Sequence, residues 1–175
     1  MRRSILAAAG IGALLASTTS FAHVTLEAAK APSGSTYKAT FSMSHGCDGS
    51  PTVRLRIRIP DGVTSIKPQP KPGWELTTIK EKRDKPTAGD HGATITEAIR
   101  EVAWSGGRLL DEHFDQFAMQ MKLPDAPNTT IYFPVVQECE KGVNRWIEIP
   151  EPGKSAHDYK QPAPALRLTS GAAQH

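Results

Sequence analysis

Two segments alternate apolar and polar side chains with unusual regularity. Val53, Leu55, Ile57 and Ile59 fall on one side and Arg54, Arg56 and Arg58 on the other, the period of a strand with one face buried. The arginine run is then read as a solvated strand face. Upstream, Tyr37, Ala39, Phe41 and Met43 alternate with Lys38, Thr40, Ser42 and Ser44, and the same phase carries His45 onto the apolar side. Further strands are expected over 24–28, 74–79, 94–104, 117–123 and 130–136, punctuated by proline and glycine. Many short strands with such turns predict an all-β chain, a single-domain antiparallel β-sandwich of the immunoglobulin, fibronectin or cupredoxin kind. Residues 80–92, rich in charge and turn formers, read as a mobile hairpin or loop, and 111–116 as the place of a helical turn. After Pro150 the composition shifts to Pro, Ala, Gly and Ser, so 151–175 reads as an extended tail in which 165–168 docks as a last strand. No internal repeat is found.

The first 22 residues do not belong to this pattern. Arg2 and Arg3 open them, a nearly unbroken apolar stretch runs from Ile5 to Ala16, and Ser20, Phe21 and Ala22 form a small-x-small cleavage site, together the anatomy of a secretory signal peptide. The arginine pair alone does not argue for twin-arginine export, and the general secretory route is assumed. Cleavage after Ala22 leaves 153 of the 175 residues, the size of one domain spanning 23–150 plus the tail. No later stretch reaches the roughly 20 apolar residues a transmembrane helix needs, so the mature protein is expected to be periplasmic and soluble, not an integral membrane protein.

Processing also lowers the formal charge. The leader holds two of the 21 Lys and Arg and none of the 18 acids, so the balance falls from +3 to +1, which argues against nucleic acid as a partner. Cys47 and Cys139 both lie in the exported part, where a disulfide is the default. It would close a loop of about 90 residues, for which the chain-entropy model gives about 4–5 kcal/mol as an upper figure. A two-thiolate site for a soft metal is the alternative, disfavoured because neither cysteine has a local C-x-x-C partner.

Cleavage before His23 would create a chelate that no internal histidine supplies, because the free α-amine and ring Nδ1 of one residue can close on the same ion. Nitrogen-rich tetragonal sites favour Cu(II). The structural alternative is that histidine merely happens to follow the cleavage site. His45 lies two residues before Cys47 and Trp146 seven after Cys139, so a disulfide would draw both toward one place, bridged Cα atoms being about 5.5 Å apart. His45 is then either a ligand or a hydrogen-bonded edge histidine, and Trp146 either a hydrophobic wall of the site or ordinary packing. Met119 and Met121 alternate in phase with Phe117 and Leu123, a core row rather than a Cu(I) thioether site, and Met43 reads the same way. His91 and His113 lack ligand spacing, His157 beside Asp158 is read as a solvated tail residue with folding back toward the site as the alternative, and no nucleophile, zinc-protease or phosphate-loop motif occurs.

Several segments carry a resemblance. His23-Val24-Thr25-Leu26, Pro72-Gly73-Trp74, Val102-Ala103-Trp104-Ser105-Gly106-Gly107, Phe114-Asp115-Gln116-Phe117 and the late Trp146, in this order and spacing, resemble the YcnI-like copper-binding family, formerly known as a domain of unknown function. The similarity runs from His23 to about Leu168. It implies a periplasmic or cell-surface β-sandwich, encoded near copper-transport genes, that binds one Cu(II) through the mature N-terminal histidine, with an acidic side chain and a tryptophan completing the site. Trp146 matches the tryptophan. At the acidic position this chain reads Ser44-His45-Gly46-Cys47, so the resemblance implies that His45 replaces the carboxylate and yields a fuller histidine brace of one amine and two imidazoles. Glu27, on the same strand parity as His23, is the alternative oxygen ligand.

The function expected is a non-enzymatic copper-binding protein, a copper chaperone or homeostasis factor, with an inner-membrane copper transporter or another periplasmic copper protein as partner. The rival readings are a histidine-brace oxidase resembling the lytic polysaccharide oxygenases and a metal-free interaction module. Scattered tryptophans and tyrosines argue against the oxidase, and loss of metal binding on extending or replacing His23 would argue against the module.

Overall fold

The structure, a computed structural model, describes residues 23–88 and 94–171. The expected leader, His91 and the last four residues lie outside the described residues.

Alternation becomes architecture most directly in β3 (Thr36–Met43) and β8 (Asp115–Lys122), which pair antiparallel from Thr36↔Lys122 to Met43↔Asp115. That register sets Tyr37, Ala39 and Phe41 opposite Met121, Met119 and Phe117, all buried. β1 (Thr25–Leu26) and β5 (Thr64–Pro68) flank this pair, giving the order β1-β3-β8-β5.

A second sheet packs its inner face against the same core in the order β11-β10-β4-β7-β6, comprising β4 (Thr52–Arg58), β6 (Glu75–Ala88), β7 (Thr94–Leu109), β10 (Val135–Cys139) and β11 (Val143–Trp146). Leu55 and Ile57 sit at its centre beside Trp104 and Val102, all fully buried. A side chain of this size contributes about 1.5–3 kcal/mol when fully removed from water. On the outer face Arg56 meets Glu138 at 3.2 Å and Glu101 at 3.8 Å, while Arg54 meets Glu138 at 3.9 Å. The arginine stripe is therefore an ion-paired face and only partly a solvated one.

A third, smaller sheet joins β2 (Lys30–Pro32), β12 (Ala165–Thr169) and β9 (Thr130–Tyr132), in the order β2-β12-β9. β12 runs antiparallel to β9 and parallel to β2. Leu166 and Leu168 are fully buried, so the segment after Pro150 contributes to the core itself. It also covers the edge of β11: the Arg145 N–H donates to Gln161 Oε1 at 2.9 Å, and the Glu148 and Ala163 amides bond across this seam at 3.1 and 2.8 Å.

Several expectations are corrected. In β4 it is Thr52, not Val53, that is buried with Leu55 and Ile57, because the register slips between Thr52 and Arg54; such a bulge reverses the phase beyond it. The strand expected over 130–136 is two strands in different sheets, divided at Pro134, which has no N–H for a ladder. No helical turn forms over 111–116. The His113 N–H closes a turn on Leu110 O at 3.1 Å and β8 begins at Asp115. Of the two readings of 80–92, the hairpin holds over the described residues: 80–88 prolong β6 and pair antiparallel with β7 as far as Ala88↔Thr94.

Candidate metal centre

The centre is built around the loop from β3 to β4. A disulfide between Cys47 and Cys139, 92 residues apart with Cα atoms separated by 6.0 Å, fastens this loop to the end of β10. Cys47 and Ser50 exchange backbone hydrogen bonds at 3.0 and 2.9 Å, folding the chain so tightly that a Cβ at Gly46 would lie 1.9 Å from the Ser50 carbonyl oxygen. Only glycine fits there. The Gly46 N–H donates to Asp111 Oδ1 at 2.8 Å, adding a tie to the turn before β8.

His45 Nδ1 stands 2.6 Å from the Gly46 carbonyl oxygen. A carbonyl only accepts, so Nδ1 is the donor of this bond. This is the arrangement that orients a metal-binding imidazole, whose second nitrogen donates to a fixed acceptor.

His23 reaches the same region because β1 pairs with the far end of β3 through Thr25↔Ser42 and Leu26↔Phe41. Trp146 comes from the opposite sheet, at the end of β11, and is 4% exposed. Both imidazoles meet its indole edge to face. The His23 ring centroid is 5.5 Å away at 79°, and that of His45 is 6.3 Å away at 76°. The structure thus brings His23, His45 and Trp146 together, each histidine partly buried.

Gln137, unremarked in the sequence, lies beneath them at 0% exposure. Its Oε1 accepts from Trp146 Nε1 at 3.1 Å and from Asn144 Nδ2 at 3.3 Å. Its Nε2 donates to the His45 carbonyl at 2.7 Å and to Thr52 Oγ1 at 2.8 Å. Asn144 Nδ2 also lies 3.3 Å from Gly46 O. The available signal was period two on β10: Val135 and Gln137 share the inner face, so a polar amide there needed buried partners.

The remaining candidates lie elsewhere. Glu27 is exposed, and its carboxylate bears on Tyr37, whose hydroxyl is pushed up to about 12 by burial first and by the Glu27 charge second. The Tyr37 hydroxyl donates to Ala28 O at 2.5 Å. Among the described residues no three His, Cys, Asp or Glu side chains form a group able to hold a metal ion. Met43, Met119 and Met121 are core residues. His113 is exposed beside Glu112, and His157 sits exposed in a short 3-10 helix, Ala156–Asp158.

Residues 23–168 match the family model described as "Domain of unknown function (DUF1775)". The chain belongs to this family, known as YcnI-like. No curated protein matches the chain. A solved structure from Nocardia farcinica, described as an uncharacterized protein that reveals an immunoglobulin-like fold, is similar at 26% identity with a TM-score of 0.64, over 85% of this chain and 99% of the other. The fold of this DUF1775 member is accordingly an immunoglobulin-like β-sandwich.

Three of the segments behind the resemblance pack against one another within the common core. Trp74 stacks edge-on against Phe117 at 5.0 Å, Trp104 does so at 5.5 Å, and Lys71 pairs with Asp115 at 2.6 Å. Gly107 lies flat against Trp74, where a Cβ would come within 2.2 Å of the ring. These segments lie together by packing, whereas the His23 and Trp146 segments lie at the candidate centre.

Proposed function

We propose that the mature protein, beginning at His23 in the periplasm, binds one Cu(II) ion and holds it or hands it on, without catalysis. The observation that carries this reading is the convergence of two imidazoles on one indole, 5.5 and 6.3 Å from it, from chain positions 22 residues apart. The donor set suits the ion. His45 in the Nδ1–H form offers Nε2, His23 offers its ring and, after cleavage, its amine, and such nitrogen-rich sites take Cu(II) ahead of other divalent ions. The buried indole supplies an apolar wall that restricts water at the metal. Partners of this role are a copper donor and acceptor, an inner-membrane transporter among them.

The test is a Cu(II) titration of protein starting at His23, read by tryptophan fluorescence and electron paramagnetic resonance, beside a version with one extra N-terminal residue and His45→Ala. One-to-one binding with nitrogen hyperfine structure is expected, lost on extension and weakened at least tenfold by His45→Ala. Equal binding by all three, or by none, would overturn the proposal.

A further inference from the structure

Gln137 is fully buried, and both amide hydrogens and both carbonyl lone pairs are engaged. Its orientation is therefore fixed: turning the amide over would set its NH2 against the indole N–H and the Asn144 NH2, donor facing donor. Two of its four partners belong to the centre and come from opposite sides of it. One is the indole N–H of Trp146 on β11, the other the main-chain carbonyl of His45 in the β3–β4 loop. Asn144 reinforces the link by reaching Gln137 Oε1 and Gly46 O together, and Gly46 O is the acceptor that fixes the His45 ring.

We propose that Gln137 is a positioning residue that joins the Trp146 indole and the His45 segment into one rigid unit, so that the indole wall and the imidazole keep a set relation whether or not metal is bound. Its effect on copper rests on the copper reading above; its hold on the indole does not. A role in core stability alone would leave the two groups uncoupled. A role in positioning makes the effects of Gln137 and Trp146 interdependent.

The experiment uses the disulfide-bonded chain starting at His23 and the variant Gln137→Met, of similar length but with no donor and only a weakly accepting sulfur. Indole N–H exchange is followed by NMR for Trp74, Trp104 and Trp146. The Trp146 signal is expected to exchange at least tenfold faster, while that of Trp104, held by Gln69 O at 3.0 Å, is unchanged and reports an intact core. Cu(II) affinity is expected to fall by about 10–100-fold, the usual effect of removing a group that orients a ligand. In a Trp146→Phe background the same substitution should cost distinctly less, since coupled residues are not additive. Unchanged Trp146 exchange, or full additivity with Trp146→Phe, would overturn the proposal. Should Gln137→Met fail to fold, Asn144→Ala decides: faster Trp146 exchange and a few-fold loss of affinity support the proposal, and no change in either overturns it. If the unsubstituted chain takes up no copper, the copper reading fails and indole exchange alone decides the positioning role, faster exchange supporting it and unchanged exchange overturning it.

Discussion

His45 is held at its own carbonyl by Gln137, at the following amide by Asp111 and, two residues on, by the disulfide. Such restraint would suit a ligand, because a backbone already held loses less freedom on binding. That His23 and His45 come near Trp146 was legible in the sequence, for His45 through the spacing of His45 and Trp146 from the two cysteines. Gln137 and Asn144 were not, because their roles depend on which strand lies beside which. Two outcomes belong to this scale. Copper affinity should fall steeply between about pH 7 and 5, since amine and imidazoles must shed protons to bind, and a flat titration over that range would argue for other donors. Tyr37 sets an alkaline limit. Its folded pKa lies at about 12 against an ordinary 10, so below pH 10 both folded and unfolded chains keep the proton, and between 10 and 12 the unfolded chain releases it first. Stability should therefore decline across that window, by on the order of 1–2 kcal/mol once solvent screening is allowed for. Denaturant unfolding should show the decline in the native chain and a flatter profile in Tyr37→Phe.

Strands with clean alternation were read correctly in kind, as β3 and β8 show, because burying one face of a pleated strand demands it. The short elements β2, β5 and β11 were not anticipated: each is an edge or a parallel partner whose few residues gain their place from neighbours. Pro134 was read as lying within a strand, yet it marks where the chain leaves one sheet for another. The Cys47–Cys139 bond joins two elements that the fold already holds close, so its contribution lies chiefly in the unfolded chain. Reduction should lower stability by about 2–5 kcal/mol in a denaturant titration. It should also weaken copper binding, because the His45 loop loses its anchor. Equal stability of the oxidised and reduced forms would contradict this.

For the whole molecule, the all-β sandwich was visible in the spacing of strands and turns, whereas the division into three sheets was not, since parity says which face a residue takes and not which partner. The C-terminal segment shows both sides of this. Its proline and alanine content reads as an extended tail with 165–168 docking as a last strand; that strand is present as β12, with Leu166 and Leu168 fully buried, while its place between β2 and β9 is not written in the composition. Leu166→Ala should cost about 2–5 kcal/mol in equilibrium unfolding, and a chain ended at Pro150 should fail to give a cooperative transition; an unaltered melting curve for either would show that β12 is dispensable.

β12 lies parallel beside β2, with Arg167, Leu168 and Thr169 opposite Lys30, Ala31 and Pro32. Synthesis proceeds from the amino end, so the strand that follows His23 by a few residues waits for a partner far along the chain before it has its neighbour. A copy broken off by premature termination or a protease would carry His23 and His45 but not the frame that sets them. If copper binds as proposed, copies lacking β12 would compete poorly for the metal.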